Sequence, residues 1–123
     1  MQNEVVMDQN ISVEKSFEFA VRIVNLYKFL VREHKEYVLS KQILRCGTSI
    51  GANISEAQRG QSKADFAAKM NIALKEANET QYWLNLLYRT DYLTQSQFES
   101  LNVDISDLLG ILTAICKASN TLK

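Results

Sequence analysis

Proline is absent from this 123-residue sequence, and glycine occurs only at positions 47, 51, 60 and 110. Proline ends helices and marks loops, so its absence favours long helices with short connections. No apolar run approaches the roughly 20 residues of a membrane-spanning helix. The start, Met1-Gln2-Asn3-Glu4, lacks the basic and apolar segments of a secretion signal. The chain therefore reads as cytoplasmic. Only two cysteines occur, Cys46 and Cys116, too few and too far apart for a metal-ligand cluster. Both fall on apolar helix faces, where a thiol acts as a small buried hydrophobe.

What is present is apolar material, at 46% of residues, enough for one globular domain with its own core. Formal net charge is zero, but the charges are unevenly placed. From Lys15 to Lys75 eleven basic residues face five acidic ones, a net of +6, while Met1–Glu14 and Glu76–Lys123 each carry −3. Such asymmetry can orient self-association or hold an anionic partner.

Residues 1–11 show no sustained period and read as a tail or arm, with the domain covering 12–123. A first helix is expected from Ser12 to His34. Phe17, Ala20, Val21, Val24, Tyr27 and Val31 mark one stripe, taken as the core face; Phe19, Ile23, Leu26 and Leu30 mark a second beside it. Together they span about 220° of the helix, against little more than about 100° for a helix facing a single core. The second stripe is thus expected to be covered by another subunit. A second helix starts near Val38, with Leu39, Ile43, Gly47, Ile50, Ile54 and Ala57 on one face, and Gly60 as the left-handed residue that ends it. Its start is poorly marked, because Lys35-Glu36-Tyr37 offers no good cap.

The third helix is capped by Ser62, with Asp65 three residues on, and runs to about Thr90. Thr94 and Gln97 form a capping box for the fourth, with Leu93 and Phe98 spaced as a hydrophobic staple. Phe98, Leu101, Ile105, Leu108, Leu112, Ile115, Ser119 and Leu122 then alternate steps of three and four, the seam of a bundle helix. The expected fold is all-α, an antiparallel up-down-up-down four-helix bundle.

Catalytic and cofactor chemistry finds no footing. Di-iron bundles need two Glu-x-x-His pairs, and the only histidine, His34, follows Val31 at that spacing. His34 instead suits a helix C-terminus. Gly47-Thr48-Ser49-Ile50-Gly51 lacks the Gly-Lys ending of a phosphate loop, and Gly47, Gly51 and Ser55 read as a narrow strip for close helix approach. No cofactor, metal or small-molecule substrate is expected, and no enzymatic activity.

The stretch Gln42-Ile43-Leu44-Arg45-Cys46-Gly47-Thr48-Ser49-Ile50-Gly51-Ala52-Asn53-Ile54-Ser55-Glu56 resembles the signature of the bacterial four helix bundle proteins, also called ribosomal-RNA intervening-sequence proteins. Phe66 to Leu87, with Ala73, Glu76, Glu79 and Leu84, and Lys15-Ser16-Phe17 with Ala20 extend the likeness from Lys15 to the C-terminus. The resemblance implies a ring-like homo-oligomer, a pentamer, with no assigned enzymatic activity. A related branch, the accessory variability proteins of diversity-generating retroelements, binds nucleic acid and a reverse transcriptase through strongly basic surfaces. This sequence departs from that branch in its zero net charge, and it has Ala57 where many relatives place glycine.

Two functional readings follow. One is self-association, through Phe19, Ile23, Leu26 and Leu30 on the first helix and through Arg45, Ser49 and Glu56 on the outward stripe of the second. The other is RNA or DNA binding through the basic half, by Arg22, Lys28, Arg32, Lys35, Lys41, Arg45, Arg59 and Lys63. Phe29, on the polar arc between Arg22 and Arg32, is then placed to stack on a base. A neutral chain lacks the electrostatic footprint of a dedicated nucleic-acid binder, which favours the first reading.

Overall fold

A computed structural model describes residues 2–121, with side chains from Asn10 to Asn120. It contains four α-helices, α1 Gln2–His34, α2 Leu39–Ala57, α3 Lys63–Arg89 and α4 Gln95–Thr121, and no strand among the described residues. Each helix packs on the next and α4 closes onto α1, whereas the backbones of α1 and α3 stay apart, as do those of α2 and α4. Connections as short as 35–38, 58–62 and 90–94 force neighbours to run antiparallel. The result is an up-down-up-down four-helix bundle with α1 and α3 on one diagonal.

α1 begins at Gln2, well before the expected Ser12, so the residues read as a tail continue the helix. They hold good helix formers and neither glycine nor proline, and a helix already packed over its later turns propagates cheaply. At 33 residues it measures about 50 Å, against about 28 Å for the 19 residues of α2.

The local signals at the later helix starts hold. Ser62 Oγ accepts from the Asp65 amide at 3.0 Å. At α4, Thr94 Oγ1 accepts from the Gln97 amide at 3.1 Å, and Gln97 Oε1 accepts from the Thr94 amide at 2.9 Å. Leu93 is buried in the core, and Phe98 is half-buried against that core and stacked on Tyr88. The unmarked start of α2 is held by Glu36. Its carboxylate accepts from the amides of Ser40 at 2.7 Å and Val38 at 3.2 Å, while Ser40 Oγ donates to the Glu36 carbonyl.

Left-handed residues close two helices, and neither is glycine: Lys35 at φ 54° after α1 and Asp91 at φ 70° after α3. Past α3, the Tyr92 amide donates to Leu87 O and the Asp91 amide to Tyr88 O, satisfying carbonyls the helix leaves open. Gly60 is not left-handed, contrary to expectation. Its need is space: a Cβ there would lie 3.1 Å from Ala57 O and 3.2 Å from the Phe66 amide nitrogen.

The main correction concerns α1. Phe19, Ile23, Leu26 and Leu30 are 0–6% exposed and belong to the core, whereas Phe17 is 70% and Val21 48% exposed. The two stripes exist as the periodicity indicates, but their roles are exchanged. The inward arc carries the bulkier side chains and continues through buried Ser12 and Ser16. Gly47 and Gly51 make room for it. A Cβ on Gly47 would lie 2.8 Å from both Cγ atoms of Ile23, and one on Gly51 would lie 3.2 Å from the Ser16 carbonyl oxygen. Close approach of α1 thus fills the small-residue strip of α2. Ile43, Ile50 and Ile54 from α2, Met70, Leu84 and Leu87 from α3, and Ile105, Leu108 and Leu112 from α4 complete the interior. Burying each such side chain stabilises by about 1.5–3 kcal/mol. Leu122, placed on the α4 seam from its spacing, lies outside the described residues.

Candidate self-association surface

With the heavier stripe turned inward, the lighter one faces water. Val13, Phe17, Ala20, Val21, Val24 and Val31 follow one another on the outer face of α1, each at least partly exposed. Thr48, Gly51, Ala52 and Ser55 of α2 stand opposite Val13, Phe17 and Ala20, and the two sets enclose a groove of about 580 Å³. That wall is low because its side chains are small. The Phe17 ring stands beside it as a knob next to a hole. Glu14 and Glu18, near the middle of α1, border the groove, and exposed Lys28 and Arg32 follow toward the C-terminal end of the helix.

The polar members of the α2 signature point to α3. Arg45 donates to Glu76 at 3.1 Å and forms a shorter ion pair with Glu79, whose carboxylate also accepts from Trp83 Nε1 at 3.1 Å. Glu56 pairs with Lys69 at 2.9 Å. Ser49 accepts twice from the Asn53 amide group, at its carbonyl and its hydroxyl. Arg45, Ser49 and Glu56 therefore have partners inside the chain, and two of the three clamp α2 onto α3. Ala52, between Ser49 and Glu56 on the same face of α2, lines the groove.

The cations divide similarly. Arg22 closes the α1–α4 seam, bonding Asp104 at 2.5 Å and both the carbonyl and hydroxyl of Ser100; Lys15 meets Asp107 nearby at 3.8 Å. Phe29 is half-buried against the core, and His34 sits edge-on between Phe29 and Tyr92 with ring centres 5.3 Å from each, so Phe29 is not a free stacking platform. Lys28, Arg32, Lys35 and Lys41 are exposed around the α1–α2 turn, while Arg59 and Lys63 lie past the other end of α2. The eight cations assigned to nucleic-acid contact are thus split between two ends and two internal clamps.

Burial pushes the thiols of both Cys46 and Cys116 above their ordinary range, which keeps them protonated and inert. No group of three or more His, Cys, Asp or Glu side chains among the described residues is arranged to hold a metal ion. No helix among them is long and apolar enough to cross a membrane.

Sequence reasoning counted Phe17 and Val21 as core and did not single out Val13, or Ile72 and Tyr82 on α3, exposed at 42% and 61%. The usable signal was size. Given two adjacent apolar stripes, the one holding Phe, Ile and Leu fills an interior, while one made mostly of Ala and Val suits a shallow contact.

The family model described as 23S rRNA-intervening sequence protein matches residues 8–114, all but a few turns of the bundle. The chain belongs to that family. A crystal structure of a protein of unknown function from the S23 ribosomal protein family of Bacteroides thetaiotaomicron is 64% identical and superposes with a TM-score of 0.88. The match covers 89% of this chain and 98% of that one. No curated protein matches the sequence. Family and neighbour thus agree on sequence and fold, and neither carries an assigned biochemical role.

Proposed function

We propose that this protein is a non-enzymatic interaction module that works as a homo-oligomer, assembling through the outer apolar face of α1 and the α2 groove beside it. The observation that carries the reading is the row from Val13 to Val31, with Phe17 70% exposed. Monomers rarely keep a contiguous apolar surface of this kind in water, and one rimmed by charge is typical of an interface. A ring of five is the favoured form, as the family resemblance implies. Location in the cytoplasm is part of the same reading.

The alternative, contact with RNA or DNA, rests on the exposed Lys28, Arg32, Lys35 and Lys41 near the α1–α2 turn. It is the weaker reading, because the remaining assigned cations are paired internally or lie at the other end of the molecule.

Sedimentation velocity at micromolar concentration tests the proposal. The native chain is expected to run as an oligomer and Phe17→Glu as a monomer with unchanged helix content. A native chain that sediments at 14.0 kDa would remove the reading.

A further inference from the structure

α1 and α4 share the thinnest of the four seams between neighbouring helices, and the core comes to the surface along it. Within the core cluster the three largest exposures are those of Leu26 and Leu101, at 6%, and Leu93, at 4%. All three form the floor of a groove of about 410 Å³ between the two helices, with the half-buried Phe29 ring beside them. This groove lies on the α4 flank of α1, away from the α1–α2 groove described above.

Both ends of the groove are closed by side chains. At one end Arg22 spans the seam to Asp104 and Ser100. At the other, His34 stands edge-on between Phe29 and Tyr92, joining the end of α1 to the segment before α4. The stretch of α1 from Arg22 to Phe29 is only about 10 Å long. A trough this short and closed at both ends has no room for a partner helix. Its volume suits a small molecule, and its fixed walls need no reordering to take one.

The rim sets the polarity of the occupant. Its single ionised group, the Arg22 guanidinium, is already paired with Asp104. The other polar members, Asn25, Ser96 and Gln97, are uncharged. Among the described residues neither Asn25 nor Ser96 has a side-chain hydrogen bond, and Gln97 uses only its oxygen, which accepts from the Thr94 amide at 2.9 Å. An ion entering here would lose hydration and meet no unpaired countercharge. A neutral molecule would find an apolar floor for its body and unused donors and acceptors for its head.

We infer that the α1–α4 groove is a binding site for a small uncharged molecule with an aromatic or branched aliphatic body and an amide or hydroxyl head. Leu26, Leu93 and Leu101 receive the body, and Asn25, Ser96 and Gln97 receive the head. The site is independent of the self-association reading.

Chemical-shift titration of the methyl-labelled native chain with phenylacetamide tests it, with phenylacetate as the charged comparison. Phenylacetamide should shift the methyls of Leu26, Leu93 and Leu101 saturably, with a Kd that is roughly millimolar for a ligand of this size. Phenylacetate should bind more weakly. Ser96→Trp fills the groove from an exposed position and should abolish the shifts. Val103→Trp, on the exposed outer face of α4, should leave them unchanged. Circular dichroism should show native helix content for both variants. The inference is overturned if no saturable shift of those methyls develops by ~20 mM, well above the expected constant. Tighter binding of phenylacetate would overturn it too, as would undiminished binding to a folded Ser96→Trp.

Discussion

Glu36 shows how a single side chain can set a helix boundary that no cap pattern announces. Burial slightly disfavours its charge, but the amides of Ser40, Leu39 and Val38 outweigh this and hold the carboxyl below its ordinary range. The folded chain therefore ionises Glu36 more readily than the unfolded one. Its stabilisation is complete at neutral pH and is lost as pH falls through the lowered folded value. Replacing Glu36 with alanine should cost about 1 kcal/mol at neutral pH, the usual loss on deleting a cap, and less in acid, as denaturant melts at pH 7 and pH 3 would measure. The caps at Ser62 and Thr94 were legible because their partners lie at fixed offsets within one turn. Glu36 was not, because it reaches forward from outside the helix. Gly60 misled for a related reason: glycine signals either a positive φ or a close approach, and one sequence cannot tell which.

Among elements, the approach of α1 to α2 decides the architecture. Gly47 admits Ile23 and Gly51 admits the backbone at Ser16, so α1 must present its inner arc at those heights. A β-branched Ile23, fully buried, cannot move both Cγ atoms away from an added methyl. Overpacking of this kind costs about 1–3 kcal/mol, while alanine regains about 1 kcal/mol of helix propensity over glycine. Gly47→Ala should therefore destabilise the bundle by about 1–2 kcal/mol. Gly110 has no atom within 4 Å of an added Cβ, so Gly110→Ala should stabilise by about 0.5–1 kcal/mol. Thermal melts of the pair should move in opposite directions. Helix number, type and order were readable from period and punctuation alone. Which α1 stripe faces inward was not, because periodicity ranks faces by hydrophobicity and both stripes are apolar. The deciding constraint, glycine on α2 opposite Ile23 and Ser16, is a contact between residues more than twenty positions apart.

At the scale of the whole molecule, one subunit satisfies its own polar groups and leaves apolar ones uncovered. No buried side-chain nitrogen or oxygen among the described residues lacks a hydrogen-bond partner. The signature pair Arg45 and Glu56 closes α2 on α3 within the chain. What remains uncovered is the Val13–Val31 row on the outer face of α1. The sequence placed this surplus on Phe19, Ile23, Leu26 and Leu30, which the fold buries inside a single subunit, so the uncovered row is the other stripe. Both native thiols are buried, so a cysteine placed on the α1 face reports on that face alone. The most direct test is the maleimide labelling rate of Val21→Cys, measured from nanomolar to micromolar protein against Ser106→Cys as an exposed reference. The account predicts that labelling at position 21 slows as protein concentration rises while the reference does not; equal rates at every concentration would contradict it.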